Sequence, residues 1–185
     1  HNISKQSTIC LIILKNISLL GDRLGPLLLQ FPYFNRNAFP SREPFEKRLR
    51  PFLQSLPKEF KFALEIRNKN WISWDFLELL RDHSVAFALV AQAWMPRIDT
   101  LAKALDLVTS DFAYVRFIGD RRAIEAKTKR WDKLIEDKTQ EMSVWVNELK
   151  KITDKGVKTY AFFNNHYAGF APGSVKQFED LWNSV

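Results

Sequence analysis

Glu65 and Arg67 are the residues whose type and spacing point most directly to chemistry. They stand two apart in the run Lys61 to Arg67, which reads as a strand. Strand alternation sends Phe62, Leu64 and Ile66 to one side and Ala63, Glu65 and Arg67 to the other. The apolar row is expected to pack on helices while the polar row points inward. An inward glutamate suits a general acid/base or a metal ligand, and an inward arginine suits an anion clamp. The bland alternative is a mutually satisfied buried ion pair, since buried charges are costly unless used or well paired.

Further candidates end other apolar runs. Arg116 shares a strand face with Tyr114 and places a positive charge where a phosphate could be held, while Asp120, Arg121 and Arg122 read as charges of the loop beyond it. Asn164, Asn165 and His166 end the last run and lead into the Gly- and Pro-bearing stretch Tyr167 to Gly173 before a helix. Amides both donate and accept, imidazole titrates near neutrality, and free N–H groups at a helix start can hold an anion. The structural alternative there is that the asparagines cap the turn and His166 is a loop residue. Gln30 ends LLLQ as an orienting hydrogen-bonder, and Trp71 and Trp94 could wall a ring or a sugar. The catalytic candidates are therefore Glu65 and His166, and the substrate-binding candidates Gln30, Arg67, Trp71, Arg116, Asn164 and Asn165.

Several chemistries are missing from the sequence. It has no G-x-S-x-G elbow, P-loop or H-E-x-x-H. Three histidines and one cysteine cannot assemble a His-rich multi-metal cluster, so no metal site is expected and no cofactor is indicated. Cys10 cannot form an internal disulfide, which makes a reducing, cytoplasmic compartment the expectation. The 185 residues suit one domain, with 46% hydrophobic and 26% charged side chains, as in ordinary globular proteins. The net charge of +7 admits nucleic acid or anionic substrates without selecting either. Arg121 to Lys158 mixes 11 basic with 7 acidic residues, which reads as a solvated helix face. No run approaches the roughly 18 apolar residues of a spanning helix, so no membrane partner is expected. Ile9, Ile13, Ile17 and Leu20 share a face and predict an amphipathic core helix.

Apolar runs alternate with helical patterns along the chain. Strands are predicted at Leu24 to Phe31, Lys61 to Arg67, Val85 to Ala91, Ala113 to Gly119 and Val157 to Phe163. Helices are predicted at Glu43 to Ser55, Asp75 to Asp82, Leu101 to Leu105, Trp131 to Thr153 and Val175 to Trp182. Trp74, Trp131, Trp145 and Trp182 read as helix packing residues. Buried strands separated by helices imply crossovers and a parallel sheet, an α/β fold. No G-x-G-x-x-G follows the first strands, and Gln30, Glu65 with Arg67, Gln92, Arg116 and Asn164-Asn165 gather at strand C-terminal ends, as on the active face of a (β/α)8 barrel. Such barrels take about 250 residues, so five strands predict a partial one.

The segments LGPLLLQFP, LEIRNKNW, DFAYVRFIGD and FFNNHYAGFAPGSV, in this order, resemble the YecE-like family, domain of unknown function 72. The resemblance spans nearly the whole chain and implies a TIM-type (β/α)8 barrel. The family's Gly-rich first strand is not represented, so residues 1–185 are expected to be a single domain, the C-terminal two-thirds of that barrel with strands four to eight. The resemblance also implies an aspartate near the end of the sixth strand, where this chain reads Ala91-Gln92.

Three functions follow as expectations. The first is an enzyme for a phosphorylated or anionic small substrate, with Glu65 as acid/base and Arg67 and Arg116 as clamp. The second is a nucleic-acid-binding or repair-type barrel that uses the positive charge. The third is a non-catalytic or inactive fragment, open to self-association through an exposed sheet edge unless the segment Ile9 to Leu20 covers it.

Overall fold

The computed structural model describes residues 13–185. Five strands form one sheet in sequential order: β1 (Leu27–Gln30), β2 (Phe62–Glu65), β3 (Ala86–Ala91), β4 (Phe112–Phe117) and β5 (Lys158–Phe163). All four pairings are parallel. Each parallel step requires a crossover, and the helices supply it. They are α1 (Arg42–Gln54), α2 (Trp74–Asp82), α3 (Ile98–Ala104), α4 (Arg121–Lys127), α5 (Thr139–Thr153) and α6 (Ala171–Asn183). The result is an α/β fold consistent with part of an α/β barrel.

Helical spacing decides which residues meet the sheet. α1 buries Phe45, Leu49 and Leu53, and α5 buries Met142, Trp145, Val146, Leu149 and Ile152. These join Phe62, Leu64 and Ile66 of the second strand run and Val115 and Phe117 of β4 in the main core. The opposite sheet face carries a separate small cluster of Ala63, Ala86, Ala88, Phe112 and Tyr114. Alternation along each strand thus divides a helix-packed face from an inner one, as the order of Phe62 to Arg67 predicts.

A buried hydroxyl ties the start of β3 to the loop before β4. Thr109 Oγ1 donates to the Val85 carbonyl at 2.7 Å and accepts from Phe87 N–H at 2.7 Å. Thr109→Val keeps the shape but strands both backbone groups. A loss of about 1–3 kcal/mol is expected in denaturant unfolding, and a change under 0.5 kcal/mol would contradict it.

Three expectations need correction. The first is the single helix from Trp131 to Thr153. The chain instead forms α4 and then an irregular stretch before α5. Asp120 Oδ1 accepts from the backbone N–H of Arg122 and Ala123 at 2.9 and 3.1 Å, so Asp120 to Arg122 open a helix instead of a loop. Ile135 N–H bonds the Ala168 carbonyl at 2.7 Å, and this tertiary contact holds the stretch before α5 out of helical form.

The second correction concerns tryptophans: Trp74 is 64% exposed, and Trp131 sits outside any helix. The third is the face formed by Ile9, Ile13, Ile17 and Leu20. Helical turns over 13–17 give way to a 3-10 segment, Ser18–Arg23, with non-helical backbone at Gly21, so the periodicity breaks. Leu14 and Ile17 reach the core while Ile13, Leu19 and Leu20 are exposed. Ile9 and Cys10 lie outside the described residues. Among the described residues, β1 and β5 each have one neighbour strand, and no helix is long and apolar enough to cross a membrane.

Candidate functional site

Strand register brings together polar residues far apart in sequence. Gln30 lies opposite Glu65 in the β1–β2 pairing, and Val90 lies opposite Arg116 in the β3–β4 pairing. All are at or near strand C-terminal ends. Glu65 is fully buried and meets two guanidinium groups. Arg116 Nη1 donates to Glu65 Oε2 at 2.5 Å and to Gln30 Oε1 at 2.7 Å. Arg67 Nε lies 2.5 Å from Glu65 Oε1, and Arg67 Nη1 donates to Gln92 Oε1. The Arg67 Nε–H does not point along the short contact, so Nε and Glu65 Oε1 are buried close together without a well-formed hydrogen bond.

The cluster is therefore one carboxylate between two arginines, flanked by two amides. Its formal charge is one positive, because Glu65 balances only one guanidinium. Arg116 makes both hydrogen bonds through Nη1, leaving Nε and Nη2 uncommitted among the described residues. The arginine side chains are 16% and 23% exposed, so they carry the accessible chemistry while Glu65 lies beneath them. Tyr114 lies one inward position below Arg116. Burial pushes its hydroxyl above the ordinary range, with Arg116 pulling it down and Glu65 pushing it up.

The other candidates lie in separate surroundings. His166 Nδ1 meets Asn164 Oδ1 at 2.7 Å, its Nε2 lies 3.3 Å from Glu125 Oε1, and the Trp131 ring stands edge-on 4.9 Å from its own. None of these contacts reaches Glu65. Asn164 Oδ1 also accepts from the His166 backbone N–H, and Asn165 Oδ1 accepts from Ala171 N–H at the start of α6. Both asparagines thus hold the turn after β5. Glu125 is pulled below the usual carboxylate range, chiefly by its hydrogen bond from Arg121.

Trp71 stacks near Phe34, at 6.1 Å, and packs on Phe45 at 5.3 Å, within an aromatic group that includes Phe31 and Phe39. The loop bearing Trp71 is fastened by Asn68, whose amide makes two backbone hydrogen bonds with Phe34 at 2.9 and 2.8 Å. Trp71 is therefore part of a structural cluster beside α1. Trp94 is half exposed. Gln92, in the sequence a strand-end residue but not a binding candidate, joins the central cluster as the partner of Arg67. Its signal was the same as that of Gln30, an amide closing an apolar strand. No group of three or more His, Cys, Asp or Glu side chains suited to a metal ion occurs among the described residues.

Sheet and cluster together define an all-parallel α/β protein with a partly buried charged cluster at the C-terminal ends of its strands. The chain belongs to the DUF72 family, described as a protein of unknown function, whose profile matches residues 4–185. A DUF72 family protein from Thermotoga maritima is 26% identical, with a TM-score of 0.64 over 93% of this chain and 64% of that one. A DUF72 family protein from Enterococcus faecalis, 20% identical, has a TM-score of 0.60 over 92% of this chain and 66% of its own, and shows the fold alone. The chain thus spans about two-thirds of the length of these solved relatives. No curated protein matches it.

Proposed function

We propose that the Arg67–Glu65–Arg116 cluster binds a small anionic substrate, such as a phosphorylated metabolite, at the C-terminal mouth of a TIM-type (β/α)8 barrel. Residues 1–185 form one domain carrying strands four to eight of that barrel. The coverage of 64% of the Thermotoga maritima relative supports this arrangement. The anion-binding reading rests on the unequal charge of the cluster: one buried carboxylate against two partly exposed arginines.

Glu65 serves this site as the anchor that holds both guanidinium groups at a fixed spacing. Each of its oxygens already faces an arginine, so acid/base work by Glu65 requires a substrate that displaces one of them. Arg116 and Arg67 present their remaining N–H groups to the ligand, in the planar geometry that suits phosphate or carboxylate oxygens. Gln30 and Gln92 steady one arginine each.

The test is the thermal unfolding midpoint with millimolar sodium phosphate against sodium chloride of equal ionic strength. Phosphate at 100 times its dissociation constant should stabilise by about 2.7 kcal/mol, a rise of several degrees. Arg116→Ala should remove most of that rise. No rise in the cooperatively folded protein, or an equal rise in the variant, would sink the reading.

A further inference from the structure

The inner face of the sheet carries more than the arginine cluster. Three inward pairs lie across β4 and β5: Phe112 opposite Lys158, Tyr114 opposite Tyr160, and Arg116 opposite Phe162. These positions hold four aromatic rings and two cations, and no carboxylate. The rings form a run toward the C-terminal ends of the strands. Phe112 meets Tyr160 edge-on at 5.9 Å, and Tyr114 lies 5.0 Å from Phe162 at an interplanar angle of 31°. Phe162 closes the run beside Arg116 and is 46% exposed, on a strand with one neighbour among the described residues.

A recess of about 760 Å3 on the helix side, between the ends of β3 and β4 and the first turns of α3 and α5, differs in kind. Tyr167 lines it, and its charges answer one another. Arg97 grips both oxygens of Asp99, and Lys138 lies 3.0 Å from Glu136 and 3.7 Å from Glu141. On the inner face a positive charge is left over, with an open ring beside it. Arg116 carries its head across β3 to Glu65 and Gln30, with Nε and Nη2 uncommitted among the described residues. Head and Phe162 ring are separated by on the order of 10 Å, two strand spacings. An inorganic anion would occupy the head and leave the ring bare. Rings associate with rings in offset or edge-on geometry, beyond what burial alone supplies.

We propose that the anion held at the arginine cluster is an arylalkyl phosphate or carboxylate, whose ring lies on Phe162 while its charged end meets Arg116. The inference rests on the anion-binding reading above and adds the part of the substrate that inorganic phosphate lacks. A short flexible chain between ring and anion fits the separation. Phe162 is then a specificity residue, which selects the ring and leaves the charge to Arg116.

Ligand-observed NMR titration tests it, with 2-phenylethyl phosphate, ethyl phosphate, hexyl phosphate and 2-phenylethanol as probes. 2-Phenylethyl phosphate should bind about tenfold more tightly than ethyl phosphate. That ratio should fall toward one in Phe162→Ala and be kept in Phe162→Tyr, and Arg116→Ala should lose both phosphates. Where Phe162→Ala does not fold, Phe162→Leu takes its place with the same fall expected. The proposal is overturned by equal affinity of the two phosphates for the parent, or by a tenfold ratio that survives the loss of the ring. Hexyl phosphate binding as tightly as 2-phenylethyl phosphate would overturn it too, as would 2-phenylethanol binding as tightly as its phosphate. Ethyl phosphate bound without preference for the ring removes the aryl part and leaves the anion site standing, whereas neither phosphate bound removes both.

Discussion

Glu65→Gln should cost the protein about 3–5 kcal/mol, read by urea denaturation in chloride buffer. The substitution keeps the shape, removes the charge and turns one acceptor oxygen into an NH2 donor. Arg67 and Arg116 would then face one another across a fully buried amide whose single oxygen can accept from one guanidinium only and which balances the charge of neither. Breaking a buried pair by removing one partner leaves the other charge desolvated, and here a single removal leaves two. Arg116→Ala should cost less, because it takes one positive charge out of the cluster along with its hydrogen bonds to Glu65 and Gln30, and leaves Glu65 still paired with Arg67. Glu65→Gln also probes the ligand site: with the internal counter-charge gone, phosphate should recover part of the lost stability, and by more than it stabilises the parent. A loss below about 1 kcal/mol would show that water already screens the cluster as it screens a surface pair. A large loss with no recovery in phosphate would leave the ion cluster as structure and remove the anion site.

The division of labour along β2 was legible because a strand between two packed layers has only two directions for its side chains. Leu64 and Ile66 had to take the helix side, which left Glu65 and Arg67 the other. That Arg116 and Gln30 would share a hydrogen bond was not legible in the same way. They are 86 residues apart, and their meeting depends on strand order and on the stagger across β2 and β3. Local pattern names strand-end residues without saying which will touch. This also explains His166 and Trp71: each stands beyond a strand end, but its partners are set by turns that side-chain hydrogen bonds close locally, at Asn164 and Asn68 respectively. The missed helix α4 shows the reverse case, where one aspartate cap decided the local structure more firmly than the surrounding charges suggested. The cavity beside Tyr167 draws on α3, α5 and two loops, so no single stretch of sequence announces it.

Gly119→Ala should be among the most damaging single-methyl changes in the protein, at about 4 kcal/mol. Gly119 follows β4 with φ +71°, a left-handed conformation that costs a residue with a Cβ roughly 1–2 kcal/mol by itself. Space adds the larger part. A Cβ there would come 2.2 Å from the His166 carbonyl oxygen and 2.5 Å from Tyr167 Cα, both backbone atoms that cannot rotate away. Gly156 supplies the internal control: its φ is +79°, but its Cβ would meet nothing within 4 Å. Gly156→Ala should therefore cost only the conformational part, about 1–2 kcal/mol. The difference between the two variants in urea isolates the contact between the chain after β4 and the chain after β5. That contact follows β4 three residues after Arg116, so Gly119→Ala, where still folded, should weaken phosphate binding. Equal destabilisation by the two glycine substitutions would mean that the turn after β5 yields easily, and that the placement of Arg116 does not depend on Gly119.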